Sequence, residues 1–330
     1  MKEVGKNRSM ISKEILLETA REHNYKPEIL EKVYRLLSTL EQIAKVPFLK
    51  NRLVLKGGTA LNLFCFKGVP RLSVDIDLNY IGKIDRSKML EERPMINEAI
   101  EKILIQNQYE PYRNPGYYAG GKMVWRYSSV LGQKGNLEID LNYMYRKPLW
   151  KIEYKSSALD DGSKIFFPVL NIHELAAGKL SALLSRTASR DLFDAHYLLT
   201  KCKLDHNKLR FAFVVYLGMT GLDPLLLSPK SIQSNDVDIR NRLMPVVRGG
   251  EIPRARKAVK IWAEKLTQEL QEALCLLLPL RESEINFISR IQKSGDIDAS
   301  LLTGDLDLQE TVGAHPALRW AAMQASKKIQ

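Results

Sequence analysis

The stretch that decides the reading is Arg71-Leu72-Ser73-Val74-Asp75-Ile76-Asp77-Leu78. From Leu72 to Leu78 it alternates apolar and polar residues, the pattern of a strand with one buried face. Side chains two apart in a strand project to the same side. Asp75 and Asp77 therefore share one face, while Val74, Ile76 and Leu78 face a core. Two carboxylates this close repel unless a positive charge stands between them. Mg2+ suits such a pair, being hard, oxygen-seeking and typically held by one or two carboxylates plus substrate phosphates. Two solvated aspartates on a strand edge would show the same pattern, so the neighbouring sequence has to decide.

Upstream, Arg52–Leu55 is short and apolar, Gly57-Gly58-Thr59 follows, and Ala60–Phe64 opens an apolar helix. The order is strand, tight turn, helix. Glycines let the backbone approach a ligand closely, and a helix N-terminus offers unpaired N–H groups to anions. Thr59 adds a hydroxyl. A phosphate-cradling turn one element before a metal-binding strand makes a coherent site for a nucleoside triphosphate. Arg71 either neutralises triphosphate charge or pairs with a nearby carboxylate. Downstream, Leu137-Glu138-Ile139-Asp140-Leu141 alternates in the same way. Asp140 is the first candidate for a third carboxylate and Glu138 the second. In a two-metal site this third group would hold the ion that activates the attacking hydroxyl.

The rest of the chain supplies the frame. Its 330 residues are 45% hydrophobic, enough for a packed core, which excludes wholesale disorder. Pro27 opens a helix striped by Leu30, Val33, Leu37, Leu40 and Ala44. A second helix is expected over residues 86–106. Lys122–Leu131 and Asn136–Met144 read as a hairpin around Gly132–Gly135. From Ile172 onward the pattern is helical. The expected fold is therefore α+β, a mixed sheet with flanking helices over residues 1–165 and a helical domain over 166–330.

Other chemistries find little support. The five histidines lack metal-ligand spacing, and no Ser/His/Asp or Cys/His arrangement is readable. Three cysteines without a CxxC spacing argue against a disulfide framework or structural zinc and favour the cytoplasm. The longest apolar runs, Phe211–Met219 and Ala273–Leu280, fall short of the roughly 18 residues of a membrane helix. MKEVGKNRSM at the N-terminus lacks the apolar stretch of a secretory leader. Trp125, Tyr127, Tyr143 and Tyr145 are either core or base-stacking residues. Net charge is +12, and Arg240 to Lys265 carries eight basic and two acidic residues. Such clustering suits either a polyanion or a solvated face.

In order along the chain, Leu-Lys-Gly-Gly-Thr-Ala-Leu-Asn-Leu-Phe64, the Arg71–Leu78 motif, Glu174-Leu-Ala-Ala-Gly-Lys179, Arg190-Asp191-Leu-Phe-Asp194 and His315-Pro-Ala-Leu-Arg-Trp320 resemble the AbiEii/AbiGii toxin family. These are nucleotidyltransferases of the DNA polymerase β superfamily, toxins of type IV toxin–antitoxin systems. The resemblance spans residues 30 to 320 and implies roles. Asp75 and Asp77 would hold Mg2+, with Asp140 less well defined. Gly58, Thr59, Arg71, Ser73 and Lys179 would bind the nucleotide. Asp75, Asp77, Lys179 and Asp191 would be required for activity. Independently, Lys179 lies in an apolar helix segment, where a lysine must snorkel or meet an anion. Asp191 and Asp194 share a helix face and could instead cap the helix or pair with Arg186 or Arg190.

The expected reaction is transfer of a nucleoside monophosphate from an NTP to an acceptor hydroxyl with loss of pyrophosphate. The resemblance makes the tRNA 3′ end the acceptor, translation the target and a cognate antitoxin the partner. The basic cluster would hold RNA. Modification of a protein hydroxyl, or a nucleotide-responsive RNA-binding module without turnover, are the alternatives.

Overall fold

The computed structural model describes residues 11–113, 120–159 and 164–329. The MKEVGKNRSM stretch lies outside the described residues. The chain divides into two compact units. One comprises the chain to Met144, Ile152–Val169 and Met244–Glu251; the other comprises Tyr145–Lys151, Leu170–Leu243 and the chain from Ile252 onward.

The first unit contains one mixed sheet. Its strands are β1 (Leu53–Leu55), β2 (Asp75–Tyr80), β3 (Glu110–Arg113), β4 (Gly120–Ser128), β5 (Lys134–Asn142), β6 (Glu153–Ser156) and β7 (Phe166–Val169). Their order is β3-β4-β5-β2-β1-β7-β6. β2 runs parallel to β5 and β1 parallel to β7, while the remaining pairs are antiparallel. The expected hairpin is β4–β5, closed from Ser128 opposite Lys134, with Gly132 left-handed at φ +93. β3 and β6 are not readable in the sequence. They lie at the two edges, and every residue of β3 is exposed, so neither shows the alternation of a half-buried strand. Pro111 in β3 is tolerated because an edge strand need not donate on both sides.

β2 starts at Asp75, three residues later than the alternation suggests. Arg71 instead forms a bridge with Val247, and Leu72 N donates to Val246 O at 2.7 Å. This is why Met244–Glu251 belongs to the sheet unit. Gly249 and Asn24 reinforce it by bonding to each other, and Arg248 donates to Tyr25 Oη at 3.1 Å and to Gly68 O at 3.0 Å.

Ile76, Leu78, Tyr80, Met123, Trp125, Tyr127, Leu137, Ile139 and Leu141 are buried on one sheet face. The amphipathic helix Pro27–Lys45 packs against β5 from that side. It carries a buried polar clamp that its apolar stripe does not reveal. Glu31, 1% exposed, bonds to Arg35 Nε at 3.0 Å and accepts from Ser129 Oγ and Val130 N. Arg35 lies over the Tyr127 ring and donates to Ser128 O at 2.7 Å. The helix Arg86–Gln106, capped by Asp85, is tied to the sheet by Tyr80 Oη donating to Glu92 at 2.7 Å.

The second unit is helical throughout its regular structure. Ile172–Ser185 packs on His206–Gly218, and Ser189–Lys201 on Arg256–Leu274. Tyr145–Lys151 is anchored here by side chains of the helices. Glu174 is 1% exposed and accepts the backbone N–H groups of Leu149 and Trp150. Tyr145 packs on Tyr216 and His315, and Trp150 on His173 and Phe211. His315 also accepts from Ala317 N, which caps the helix Pro316–Ile329. The family-like His315-Pro316 pair is thus a packing and capping element. No helix among the described residues is long and apolar enough to cross a membrane.

Burial raises the Glu174 carboxyl to about 7 although its backbone partners oppose the shift. A carboxyl whose native pKa lies above its unfolded value adds stability below the unfolded pKa, and that contribution is lost as pH rises through the native one. Unfolding stability of the native protein should therefore fall between about pH 4.5 and 7. Glu174→Gln should lack this fall, with a difference on the order of 3 kcal/mol by pH 8. Urea unfolding of both proteins across pH 4 to 8 checks it; parallel profiles would refute it.

Candidate active site

The phosphate-type turn and the paired aspartates meet inside the sheet unit. After β1, Lys56 N donates to Asp77 O at 2.9 Å, which fixes the end of the strand beside β2. The chain then enters a helical turn, Gly57–Ala60, continued by a π-helical turn, Leu61–Cys65. Gly57 has φ +70, and a Cβ there would lie 2.5 Å from Asp77 Oδ2. A Cβ on Gly58 would lie 2.6 Å from Arg71 Nη2. The left-handed Gly57 suits glycine, and both glycines let the turn lie directly against the DxD strand and its preceding arginine.

Thr59 is fully buried. Its hydroxyl, expected on the triphosphate, donates to Asp75 O and shares a 2.9 Å bond with Ser73 Oγ. Thr59 and Ser73 thus latch the turn to the start of β2. Arg71 is 2% exposed and donates to Leu72 O at 3.0 Å while its guanidinium covers Gly58.

The parallel register of β2 and β5 sets Asp75 opposite Glu138 and Asp77 opposite Asp140. All four are partly exposed on one sheet face, whereas Ile76, Leu78, Ile139 and Leu141 are buried on the other. Burial raises the Asp75 carboxyl, and the charges of Glu138 and Asp77 add to the rise; Lys122 and Lys32 oppose it. Glu138 is bound to Lys122 Nζ at 2.7 Å. Asp140 makes no ion pair among the described residues. Also among them, no group of three or more His, Cys, Asp or Glu side chains is gathered closely enough to hold a metal ion unaided. The donor set nonetheless fits a hard divalent cation. It is wholly carboxylate, and the burial that raises Asp75, with the added charges of Glu138 and Asp77, is a load that a cation would relieve.

Lys179 and Asp191 lie in the helical unit. The side chain of Lys179 is 10% exposed and meets Asp191 Oδ1 at 2.8 Å and Asp194 Oδ2 at 3.1 Å. Arg186 Nε bonds the other Asp191 oxygen at 2.8 Å. Lys179 therefore resolves its place in an apolar helix by meeting anions, and two of them come from the helix Ser189–Lys201. Burial pushes the Asp191 carboxyl up, but Lys179 and Arg186 outweigh it and hold it below its usual value. Asp194, fully buried, is as much part of this cluster as Asp191.

Trp125, Tyr127 and Tyr143 are 2–5% exposed and belong to the core. Tyr145 packs on the helical unit. Two features of the carboxylate face are not readable in the sequence, the close approach of Gly57 to Asp77 and the place of Lys122. Gly57 looks like half of a generic Gly-Gly turn, and its contact with Asp77 depends on the β1–β2 pairing. Lys122 belongs to an ordinary β run, and only register puts it opposite Asp140.

Gly57→Ala should destabilise the protein more than Gly68→Ala. Both glycines are left-handed, at φ +70 and +74, but nothing lies within 4 Å of a Cβ at Gly68. Each substitution costs about 1–2 kcal/mol for the backbone, and only Gly57 adds a collision with Asp77. Urea unfolding of the two variants measures the difference; equal losses would remove the close approach.

The family model for the AbiEii nucleotidyl transferase toxin of type IV toxin–antitoxin systems matches residues 38–269. Among solved structures, the chain is similar to MenT4, a nucleotidyltransferase toxin from Mycobacterium tuberculosis, with a TM-score of 0.59 over 97% of this chain and 100% of that one. Identity is 16%, so this likeness speaks for the fold. No curated protein matches the chain by sequence. The family match takes in the Gly57–Gly58 turn, the aspartate pair, β5 and the Lys179–Asp191 cluster, and the chain belongs to the AbiEii family of nucleotidyltransferase toxins of type IV toxin–antitoxin systems.

Proposed function

We propose that the protein transfers a nucleoside monophosphate from an NTP to the 3′ end of tRNA in a Mg2+-dependent reaction. The observation that carries this reading is the β2–β5 register, which lays Asp75, Asp77 and Asp140 on one face beside the Gly57–Gly58 turn. Asp75 and Asp77 would hold Mg2+ together with substrate oxygens, and Asp140, which the register sets opposite Asp77, would join them. When bound, the metal supplies neutralisation of developing phosphate charge and activation of the acceptor hydroxyl.

The protein's own groups do the rest. The turn at Gly58 brings backbone N–H groups to the triphosphate without side-chain obstruction. Arg71, buried against that turn, adds fixed positive charge. Thr59 and Ser73 act by holding the turn on β2 rather than by reaching the nucleotide. Lys179, held by Asp191 and Asp194 in the helical unit, is the cation that the family resemblance assigns to the phosphates.

Incubation with total tRNA and each α-labelled NTP in turn tests the reaction. Asp75→Ala and Asp77→Asn should lower transfer at least about a thousandfold, a loss of roughly 4 kcal/mol of transition-state stabilisation. Asp140→Asn should cost far more than Glu138→Gln. Label on protein alone would replace tRNA with a protein acceptor, and tRNA binding without turnover would leave a binding module.

RNA contact is assigned to a narrower patch than the charge run suggests. Arg248 is engaged by Tyr25 and Gly68, Arg242 by Asp238, and Lys265 lies near Glu269. Arg254, Arg256 and Lys257 are exposed around the start of the helix Arg256–Leu274, which has no acidic residue in its first turn. Cations at this end oppose the helix dipole, so their clustering suits an anionic partner. Arg254→Glu with Arg256→Glu should weaken tRNA binding and flatten its salt dependence by about two in logarithmic slope. Intact modification and an unchanged slope would exclude the patch.

A further inference from the structure

The carboxylate face already carries a cation from its own sheet, besides Lys32 of the helix Pro27–Lys45. Lys122 on β4 stands opposite Asp140 on β5, and by alternation Lys122 and Val124 share the face of Asp75, Asp77, Glu138 and Asp140. Lys122 Nζ is 2.7 Å from Glu138 Oε2, a diagonal neighbour across the β4–β5 pair. Burial tends to lower the lysine's pKa, but the Glu138 bond and the charges of Asp75, Glu138 and Asp77 outweigh it and hold the ammonium charged.

This ion pair is poorly suited to a purely structural role. The Lys122 side chain is 49% exposed and that of Glu138 30%. Half-solvated pairs contribute little to stability. Buried clamps elsewhere in the unit, such as Glu31–Arg35, hold the hairpin. The electrostatic position of Lys122 is distinctive, because it acts on both members of the metal-type pair from β4, two strands away across β5. A divalent ion arriving at Asp75 and Asp77 would meet that positive charge and repel it. The lysine's flexible stem and compact ammonium suit transfer to phosphate oxygens.

We infer that Lys122 is the resident counterion of the carboxylate face, parked on Glu138, and that it moves to the nucleotide's phosphates when a divalent ion occupies the aspartate pair. The inference rests on the nucleotidyl-transfer reading of this face. It makes Lys122 a nucleotide-binding residue and Glu138 its parking partner rather than a metal ligand. It also gives opposite signs to two affinities. Without nucleotide, Lys122 competes with the metal. With nucleotide, Lys122 helps to hold it.

The test is calorimetric titration of the full chain with Mn2+ alone, then with a non-hydrolysable NTP analogue at saturating Mn2+. Lys122→Met should bind Mn2+ about tenfold more tightly and the analogue about tenfold more weakly, a reversal expected from removing one nearby charge. Lys122→Arg should keep analogue affinity near that of the native protein. Thermal melting monitors folding, and Lys122→Gln replaces Lys122→Met if the latter melts early. Unchanged or weaker Mn2+ binding in the folded variant overturns the counterion role. Unchanged analogue affinity overturns the phosphate role. If the native protein binds neither Mn2+ nor analogue, the nucleotidyl-transfer reading itself fails and this inference falls with it.

Discussion

The candidate site depends on the parallel pairing of β2 with β5. The strands are far apart in sequence, and five residue pairs, from Asp75–Glu138 to Asn79–Asn142, set their register. A slip by one residue would turn one strand's carboxylates toward the core. The apolar faces forbid that slip, because Ile76, Leu78, Ile139 and Leu141 are buried on the other side. Hydrophobic burial thus supplies the register, and the register concentrates negative charge. The same packing energy that stabilises the sheet sustains a face that repels itself.

The two units handle charge in contrasting ways. In the helical unit, Lys179 and Arg186 match Asp191 and Asp194, with three contacts of 2.8–3.1 Å. The buried members, Lys179, Asp191 and Asp194, are mutually satisfied, as groups with little access to water must be, while Arg186 reaches in from solvent. In the sheet unit, Lys122 is paired with Glu138, while Asp75 is pushed up by burial and by its acidic neighbours. A cluster that is complete in itself suits orientation. A partly exposed face with surplus negative charge suits recruitment of a cation. This difference is the physical basis for proposing that a metal binds in the sheet unit.

Several residues of the family-like motifs have partners that hold the chain in place. Thr59 is latched to Ser73 and Asp75, His315 caps a helix and meets Tyr145, and Glu174 holds the backbone at Leu149 and Trp150. Short motifs shared by a family therefore mix groups that face substrate with groups that hold the chain in place. Burial separates the two classes more cleanly than residue type does, since a hydroxyl or carboxyl without solvent access already has its hydrogen-bond partners within the protein.

The sequence by itself determined the α+β class, the Gly57–Gly58 turn, the shared side of Asp75 and Asp77, and the likeness to a nucleotidyltransferase family. These are local properties, carried by a period of two, a period of 3.6 and a glycine pair. It also showed the helices Pro27–Lys45 and Arg86–Gln106 and the β4–β5 hairpin, whose turn lies within a few residues. The edge strands β3 and β6 stayed hidden because they lack a buried face. β2 begins later than its alternation suggests because the Arg71–Val247 bridge spans distant residues. Only the tertiary structure decided that Glu138 is bound by Lys122, that Lys179 is met by Asp191 and Asp194, and that Gly57 abuts Asp77. Each is set by strand register or helix packing, which sum many weak contacts across long sequence separations and leave no periodic trace in the chain.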